Sequence, residues 1–586
     1  MSTQQESEAP KAELKCCDII MKGGITSGVI YPLALVTLSK KYRFANIGGT
    51  SAGAIAAAAA AAAEFGRDVP APAAGPKTGF DRLAEVPNEI GPNLLGLFQP
   101  TATLKPLFDI FIAALKGKST AEILLRAVVA AISGYGKAAA IGAAVGFLIA
   151  LILSVLFAGG SGIGVFGLVF ALLGAFAGLA WRLYLAVTRD LPANDYGVCP
   201  GVRQGAGGEG FTDWLARLID EAAGRGPAQD PLTFGDLAQP NGRPPVHLAM
   251  MTTSLMDRRP FQLPIEPRIF YFEVAEWSKL FPPRIIDFLV SKCKPYTPTS
   301  GETGEFFYFP LPEDLPLVVA ARMSLSFPLL ISAVPLWRKD YTFTSPEDQD
   351  QLRRCLFSDG GLSSNFPIHF FDRLLPNSPT FAITLDAFDP KRHNGQNVRL
   401  PKSPVSGILL EVIPFRGLTG FLGRLVDAAK DWQDNLQSVL PGYRERIVHV
   451  ALTPDEGGLN LTMDEAKVRL LADYGRRAGE KLVQDFDLDG HRWRRFLVAM
   501  ARMEETLKDV NKAYRGAAPN ESFDAFLARY AANPAQYKQT DPAALKALLD
   551  LGQDLDREGA ALQGRTSVST GNIPKPATNL RITPRS

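Results

Sequence analysis

The apolar and polar positions open with a short, dense unit. Residues 16–21, apart from Asp18, form an apolar run between Lys15 and a glycine pair, the pattern of a buried strand. Apolar residues then recur at helical spacing over 27–41, among them Val29, Ile30, Leu33, Val36 and Leu38. A second strand pattern covers 43–47, and 52–65 is dominated by alanine, the strongest helix former. Strand, glycine loop, helix, strand, tight turn, helix is the opening of an α/β fold.

A stretch rich in Pro, Ala and Gly over 68–79 leads out of this unit as a linker. No charged residue occurs from Ala138 to Trp181, and the run breaks at Gly159-Gly160-Ser161-Gly162-Ile163-Gly164. Residues 138–157 have the length of a bilayer-spanning helix, and 165–185 form a second candidate with Arg182 near its end. Gly142-x-x-x-Gly146 and Gly174-x-x-x-Gly178 would let the two helices approach closely. Lys137, Arg182 and Arg189 flank the pair, which predicts both ends on the cytoplasmic side. The competing expectation is a buried helical hairpin or a lid in a soluble protein.

Alternation typical of α/β proteins returns with strands at 246–253, 269–274, 381–385 and 447–452, and helices at 315–325 and 462–486. The predicted organisation is a disordered leader (1–14) and an α/β domain built from 15–67 and 246–488. An insertion (68–245) carries an apolar helical hairpin at about 138–185. A helical extension (489–563) and a disordered tail (564–586) follow. Residues 1–14 lack an apolar core, so no secretory signal is expected there.

Composition narrows the class. Hydrophobic residues make up 46% and charged residues 21%, so most of the chain should fold. Lys and Arg (62) nearly balance Asp and Glu (60), which gives no basis for a nucleic-acid partner. Five scattered cysteines without a CxxC pair suggest reduced thiols, with neither a zinc site nor a disulfide framework.

Three segments carry candidate chemistry. Gly49-Thr50-Ser51-Ala52-Gly53 fits G-x-S-x-G between a strand and a helix, the context in which a serine stands exposed on a sharp turn. Alone, the pentapeptide fits an ordinary β–α turn equally well. Gly23-Gly24-Ile25-Thr26-Ser27-Gly28 follows the first strand, and its backbone N–H groups could hold an oxyanion, a phosphate, or nothing at all. Leu356-Phe357-Ser358-Asp359-Gly360-Gly361 ends an apolar strand on a carboxylate, which by itself reads as an Asx turn. None of the five histidines (His247, His369, His393, His449, His491) sits in a recognisable loop motif, and all five are expected to be structural or on the surface.

Taken together, the glycine loop, the elbow one helix later, and a distant D-G-G followed by Asn365 and Pro367 resemble the patatin-like phospholipase family. The segment Ala321-Arg322-Met323-Ser324-Leu325-Ser326-Phe327-Pro328 looks like the family's stretch before the acid. The resemblance implies a three-layer αβα sandwich with a mainly parallel central sheet. It implies a Ser51–Asp359 dyad, with Ser51 as nucleophile and Asp359 as base, cleaving fatty-acyl esters of phospholipids or lysophospholipids. Gly23, Gly24 and Ile25 would form the oxyanion hole, with Gly28, Gly49, Gly53, Gly360 and Gly361 supporting the motifs. Neither metal nor organic cofactor is required, and the partners would be membrane lipid and the bilayer. The loop departs from the family pattern: Lys22 stands at its Asp position, Ile25 at its third Gly and Ser27 at its basic position. Two alternatives stay open: a conventional Ser-His-Asp esterase, and a membrane scaffold or signalling protein whose hydrolase site has decayed.

Overall fold

The computed structural model describes residues 14–24, 26–71, 75–116, 120–157, 163–240, 242–265, 269–299, 301–401, 412–415, 417–458, 460–516 and 521–575. The expected opening is present: β1 (Lys15–Met21), a 3-10 turn (Thr26–Ile30), α1 (Tyr31–Ser39), β2 (Tyr42–Gly49) and α2 (Ala52–Phe65). Parallel strands need a crossover, and α1 supplies it between β1 and β2.

The protein is a mixed α/β fold around one large sheet. Five neighbouring strands run parallel in the order Ile447–Leu452, Thr380–Ala387, β1, β2, His247–Ser254. Ile19, Ile20 and Met21 of β1 are fully buried, Ile19 and Met21 in the main core with residues of α1 and α2, and Ile20 in a second cluster with Phe366, Ile368 and Phe371. Beyond His247–Ser254 the sheet turns antiparallel through Leu352–Asp359, Val334–Lys339, Tyr271–Glu273 and Phe306–Tyr308. The apolar runs of this wing carry no mark of direction, so sequence pattern did not separate it from the parallel block.

The second half follows the expected elements closely, with helices Leu317–Ser324 and Glu465–Asp485. The segment expected as a strand over 269–274 is a three-residue strand running into the short helix Val274–Trp277. A helix at Gly417–Ser438 was not anticipated. Of the expected leader, only residue 14 is described. Of the expected disordered tail, 564–575 is described. There the Ser567 hydroxyl and the Val568 N–H donate to Glu504 Oε2 of the helix Leu488–Arg515, at 3.1 and 2.7 Å. Residues 1–13 and 576–586 lie outside the described part.

The uncharged stretch folds as two packed helices, Thr120–Phe157 and Ile163–Leu185. The first begins well before residue 138 and breaks its helical angles at Tyr135 (φ −113°, ψ 21°). Arg182 stacks on the Tyr135 ring at 5.4 Å and pairs with Asp190 at 2.8 Å, fastening the base of the pair. The glycine motifs interlock. A Cβ on Gly142 would overlap the Gly174 carbonyl, and one on Gly146 the Phe170 carbonyl; Gly178 lies equally tight against Ala138. Only 17% and 6% of the most apolar windows of these helices are buried, which excludes a hairpin sunk in the core. Both are long and apolar enough to cross a membrane.

Candidate active site

Strand register brings the elbow and the acid to one level. Gly49 pairs with Met250, so the chain two residues further, at Ser51, comes level with Thr252. Thr252 pairs with Asp359 on the antiparallel strand that enters from the other direction. The site therefore lies at the carboxyl ends of the parallel strands, where open α/β sheets bind ligands.

The turn at Ser51 is strained. Its backbone sits at φ 56°, ψ −129°, a region that residues with a Cβ rarely adopt. Glycine on either side permits the sharp reversal: a Cβ on Gly49 would overlap the Gly53 carbonyl, and one on Gly53 the Met21 carbonyl. The end of the helix Leu317–Ser324 fills the gap between serine and acid. Ser51 N–H donates to Ser324 Oγ at 3.2 Å, and Asp359 N–H donates to the Ser326 carbonyl at 3.0 Å. Arg322, fully buried, anchors this segment by donating to Ser326 Oγ (2.7 Å) and to the carbonyls of Pro200 (2.8 Å) and Ser332 (2.9 Å).

Asp359 is 3% exposed. Its Oδ1 accepts the Gly361 N–H at 2.7 Å, and Oδ2 makes no hydrogen bond to the described residues. Burial pushes the carboxyl up to about 6, against the opposing pull of the Ser51 hydroxyl, the Gly361 N–H and the Lys430 charge. A carboxylate short of solvent is a stronger base than one in water.

The acid loop and the glycine loop are tied to one another. The Asn365 carbonyl accepts the Gly23 N–H at 2.8 Å and the Thr50 hydroxyl at 3.1 Å. Asp434, on the helix Gly417–Ser438, grips the acid loop from outside. It accepts from Ser364 Oγ (2.9 Å), Asn365 N–H (2.6 Å) and Phe366 N–H (2.8 Å). Sequence reasoning missed both Ser324 and Asp434. The first sits in the quoted pre-acid segment; the second is one acidic residue among many on a helix with no motif.

The expected oxyanion residues are placed unevenly. The Gly23 N–H is already engaged by Asn365. The Gly24 carbonyl faces the elbow, accepting from Ala52 N–H at 3.2 Å and from the Ser51 hydroxyl at 3.4 Å. Ile25 lies outside the described residues. Gly28 packs on Ala52, and a Cβ on Gly360 would overlap the Met251 carbonyl, so both glycines serve close approach. Gly361 supplies the N–H to Asp359 described above.

No histidine takes part in hydrogen bonding with Ser51 or Asp359 among the described residues. His449 Nδ1 pairs with Asp386 Oδ2 at 2.6 Å, His491 Nδ1 with Glu445 Oε1 at 3.1 Å, and His393 Nδ1 accepts the Asp389 N–H at 2.8 Å. His247 packs edge-on against Phe371, and burial pushes the His369 imidazole down.

Fold and site together define a mixed α/β protein with a serine on a strained strand-to-helix turn and a buried carboxyl at the same level of the sheet. No protein-family model matches the chain. It is 34% identical over 636 aligned residues to the RpoH suppressor of Rhizobium meliloti (strain 1021), covering 97% of this chain and 99% of that protein; the chain belongs to the family of that protein. Two solved structures show faint likeness. VipD from Legionella pneumophila has 11% identity and a TM-score of 0.29, over 95% of this chain and 89% of that one. The ExoU–SpcU heterodimeric complex from the type III secretion system of Pseudomonas aeruginosa gives 13%, 0.21, 92% and 71% respectively. Scores this low leave the function to be argued from the chain's own residues.

Proposed function

We propose that this protein is a membrane-associated serine acyl hydrolase that cleaves fatty-acyl esters of phospholipids or lysophospholipids through a Ser51–Asp359 dyad. The observation that carries the reading is the pairing of a serine at φ 56° with a buried carboxyl raised to about 6 at the same level of the sheet. Ser51 Oγ attacks the ester carbonyl while its proton passes to Asp359. The proton then goes to the departing alcohol, and water hydrolyses the acyl-enzyme by the same route. The developing oxyanion needs N–H donors. With the Gly23 N–H engaged, that role falls to Gly24 and Ile25, and the Gly24 carbonyl must turn away from Ser51 before acyl transfer.

The two interlocked apolar helices support insertion in a bilayer, and the flanking Lys137, Arg182 and Arg189 favour a cytoplasmic hydrolase domain by the positive-inside tendency. The helix Gly417–Ser438, which grips the acid loop, also turns Leu418, Phe421, Leu422, Leu425 and Trp432 outward. Apolar surface beside the site favours a lipid substrate.

The test is fatty-acid release from phospholipid vesicles by detergent-purified protein, with Ser51→Ala alongside. Release by wild type and none by the variant supports the reading; equal release from both refutes it. The inward Gly24 carbonyl favours a second reading, a membrane scaffold with a decayed hydrolase site. Failure of a serine-directed fluorophosphonate to label Ser51 would select it.

A further inference from the structure

The second apolar helix does not end in a loose linker. Ile163–Leu185 runs through a π turn (Ala186–Asp190) and one helical turn (Leu191–Ala193), and the strand Gly197–Cys199 follows almost at once. That strand pairs in parallel with Leu329–Ile331. Leu329 N–H donates to the Tyr196 carbonyl at 3.0 Å, and Ala333 N–H to the Asp195 carbonyl at 2.9 Å. Arg322 closes the joint from within, reaching the Pro200 carbonyl with the same guanidinium that holds Ser326 Oγ. Asp195 pairs with Arg354 at 2.7 Å, on the strand that ends at Asp359. Three of the seven non-glycine residues with positive φ among the described residues meet here: Asp195 (52°), Tyr196 (57°) and Leu329 (68°). Tyrosine and leucine rarely adopt this backbone, and such strain gathers at switches and active sites. The Tyr196 and Leu329 side chains are exposed, so the bonds across the joint hold them there, not core packing.

We propose that this joint carries the bilayer's hold on the two apolar helices to the dyad, so that the lipid around the hairpin activates hydrolysis as well as anchoring the protein; the proposal rests on the Ser51–Asp359 reading. The glycine contacts lock the two helices together, and the Arg182–Asp190 pair and the Tyr135 stack fasten their base. A bilayer sets the tilt of such a pair by matching its apolar length. No slack separates the pair from Leu329, so a change of tilt reaches the segment before it. That segment spaces the dyad: Ser324 Oγ accepts the Ser51 N–H, and the Ser326 carbonyl accepts the Asp359 N–H. Misplacing reacting groups by about 1 Å costs about 100-fold in rate. Arg322 is the positioning residue, because it bonds to both sides of the joint.

The experiment measures hydrolysis of p-nitrophenyl acetate by the full chain in detergent and in vesicles of ether-linked phosphatidylcholine, which offers no ester to cleave. The small ester dissolves in water, so local enrichment of substrate in the bilayer does not enter. The expected result is a kcat higher in vesicles by about fivefold or more, with KM unchanged. A second protein carries Gly-Ser-Gly-Ser inserted between Ala193 and Asn194, which frees the hairpin from the joint. It should stay in the membrane and keep the detergent rate, but lose the gain in vesicles. Equal kcat for wild type in the two media, or a full gain in the insertion variant, overturns the proposal. If wild type cleaves the ester in neither medium, the hydrolase reading fails on its own. Amide hydrogen exchange over Leu325–Ile331 then decides the joint. Slower exchange in vesicles than in detergent, for wild type and not for the insertion variant, upholds the coupling; exchange indifferent to the medium overturns it.

Discussion

Asp359→Asn keeps the shape of the buried acid and the acceptor for the Gly361 N–H at 2.7 Å, but removes its charge. The folded carboxyl lies at about 6 against an ordinary 3.8, with burial as the largest cause. A difference of that size costs the ionised folded protein about 3 kcal/mol. The sign follows from where the proton sits. Above pH 6 both folded and unfolded chains carry the charge, and the folded one bears the whole desolvation cost. Between 6 and 3.8 the folded chain keeps a proton that the unfolded chain has lost, and the cost fades; below 3.8 it is gone. Asp359→Asn should therefore be inactive at every pH, yet more stable than wild type at pH 8, with the gap closing by about pH 4. Wild-type hydrolysis should fall about tenfold per pH unit below 6, as the base becomes protonated. Thermal unfolding of both proteins at pH 8, 6 and 4, beside a pH–rate profile, reads all of this. A variant less stable than wild type at pH 8, or a gap independent of pH, would refute the reasoning.

Asp434→Ala strands one hydroxyl and two backbone N–H groups of the acid loop, each worth about 1–3 kcal/mol if left unpaired. It should lower the melting temperature and the hydrolysis rate together, and a wild-type melting curve would show the clamp to be idle. In the hairpin, Gly142→Leu meets the Gly174 carbonyl and should destabilise the protein in detergent, whereas Gly164→Leu enters open space and should not. Equal effects of the two would mean that the helices do not depend on close contact.

The opening unit was legible because local rules agree there: an apolar run, glycines, helical spacing and alanine point to one arrangement. The elbow was legible for a steric reason, since a serine at positive φ needs glycine two residues to either side. The apolar pair was legible as two helices, but its first helix was drawn too short. Charged and uncharged residues continue the same helical spacing on both sides of Tyr135, where the structure shows the break with Arg182 stacked on the ring.

The sequence by itself determined the α/β class, the location of the candidate nucleophile and acid, and the presence of two helices suited to lipid. Those properties depend on periodicity and on what a few consecutive residues permit. Tertiary structure alone decided that Ser51 and Asp359 share one level, because register across three strands sets it. It alone placed Ser324 between them, Asp434 behind the acid loop and the Asn365 carbonyl on the Gly23 N–H. Each of these joins groups far apart in the chain, and no local spacing encodes such a contact.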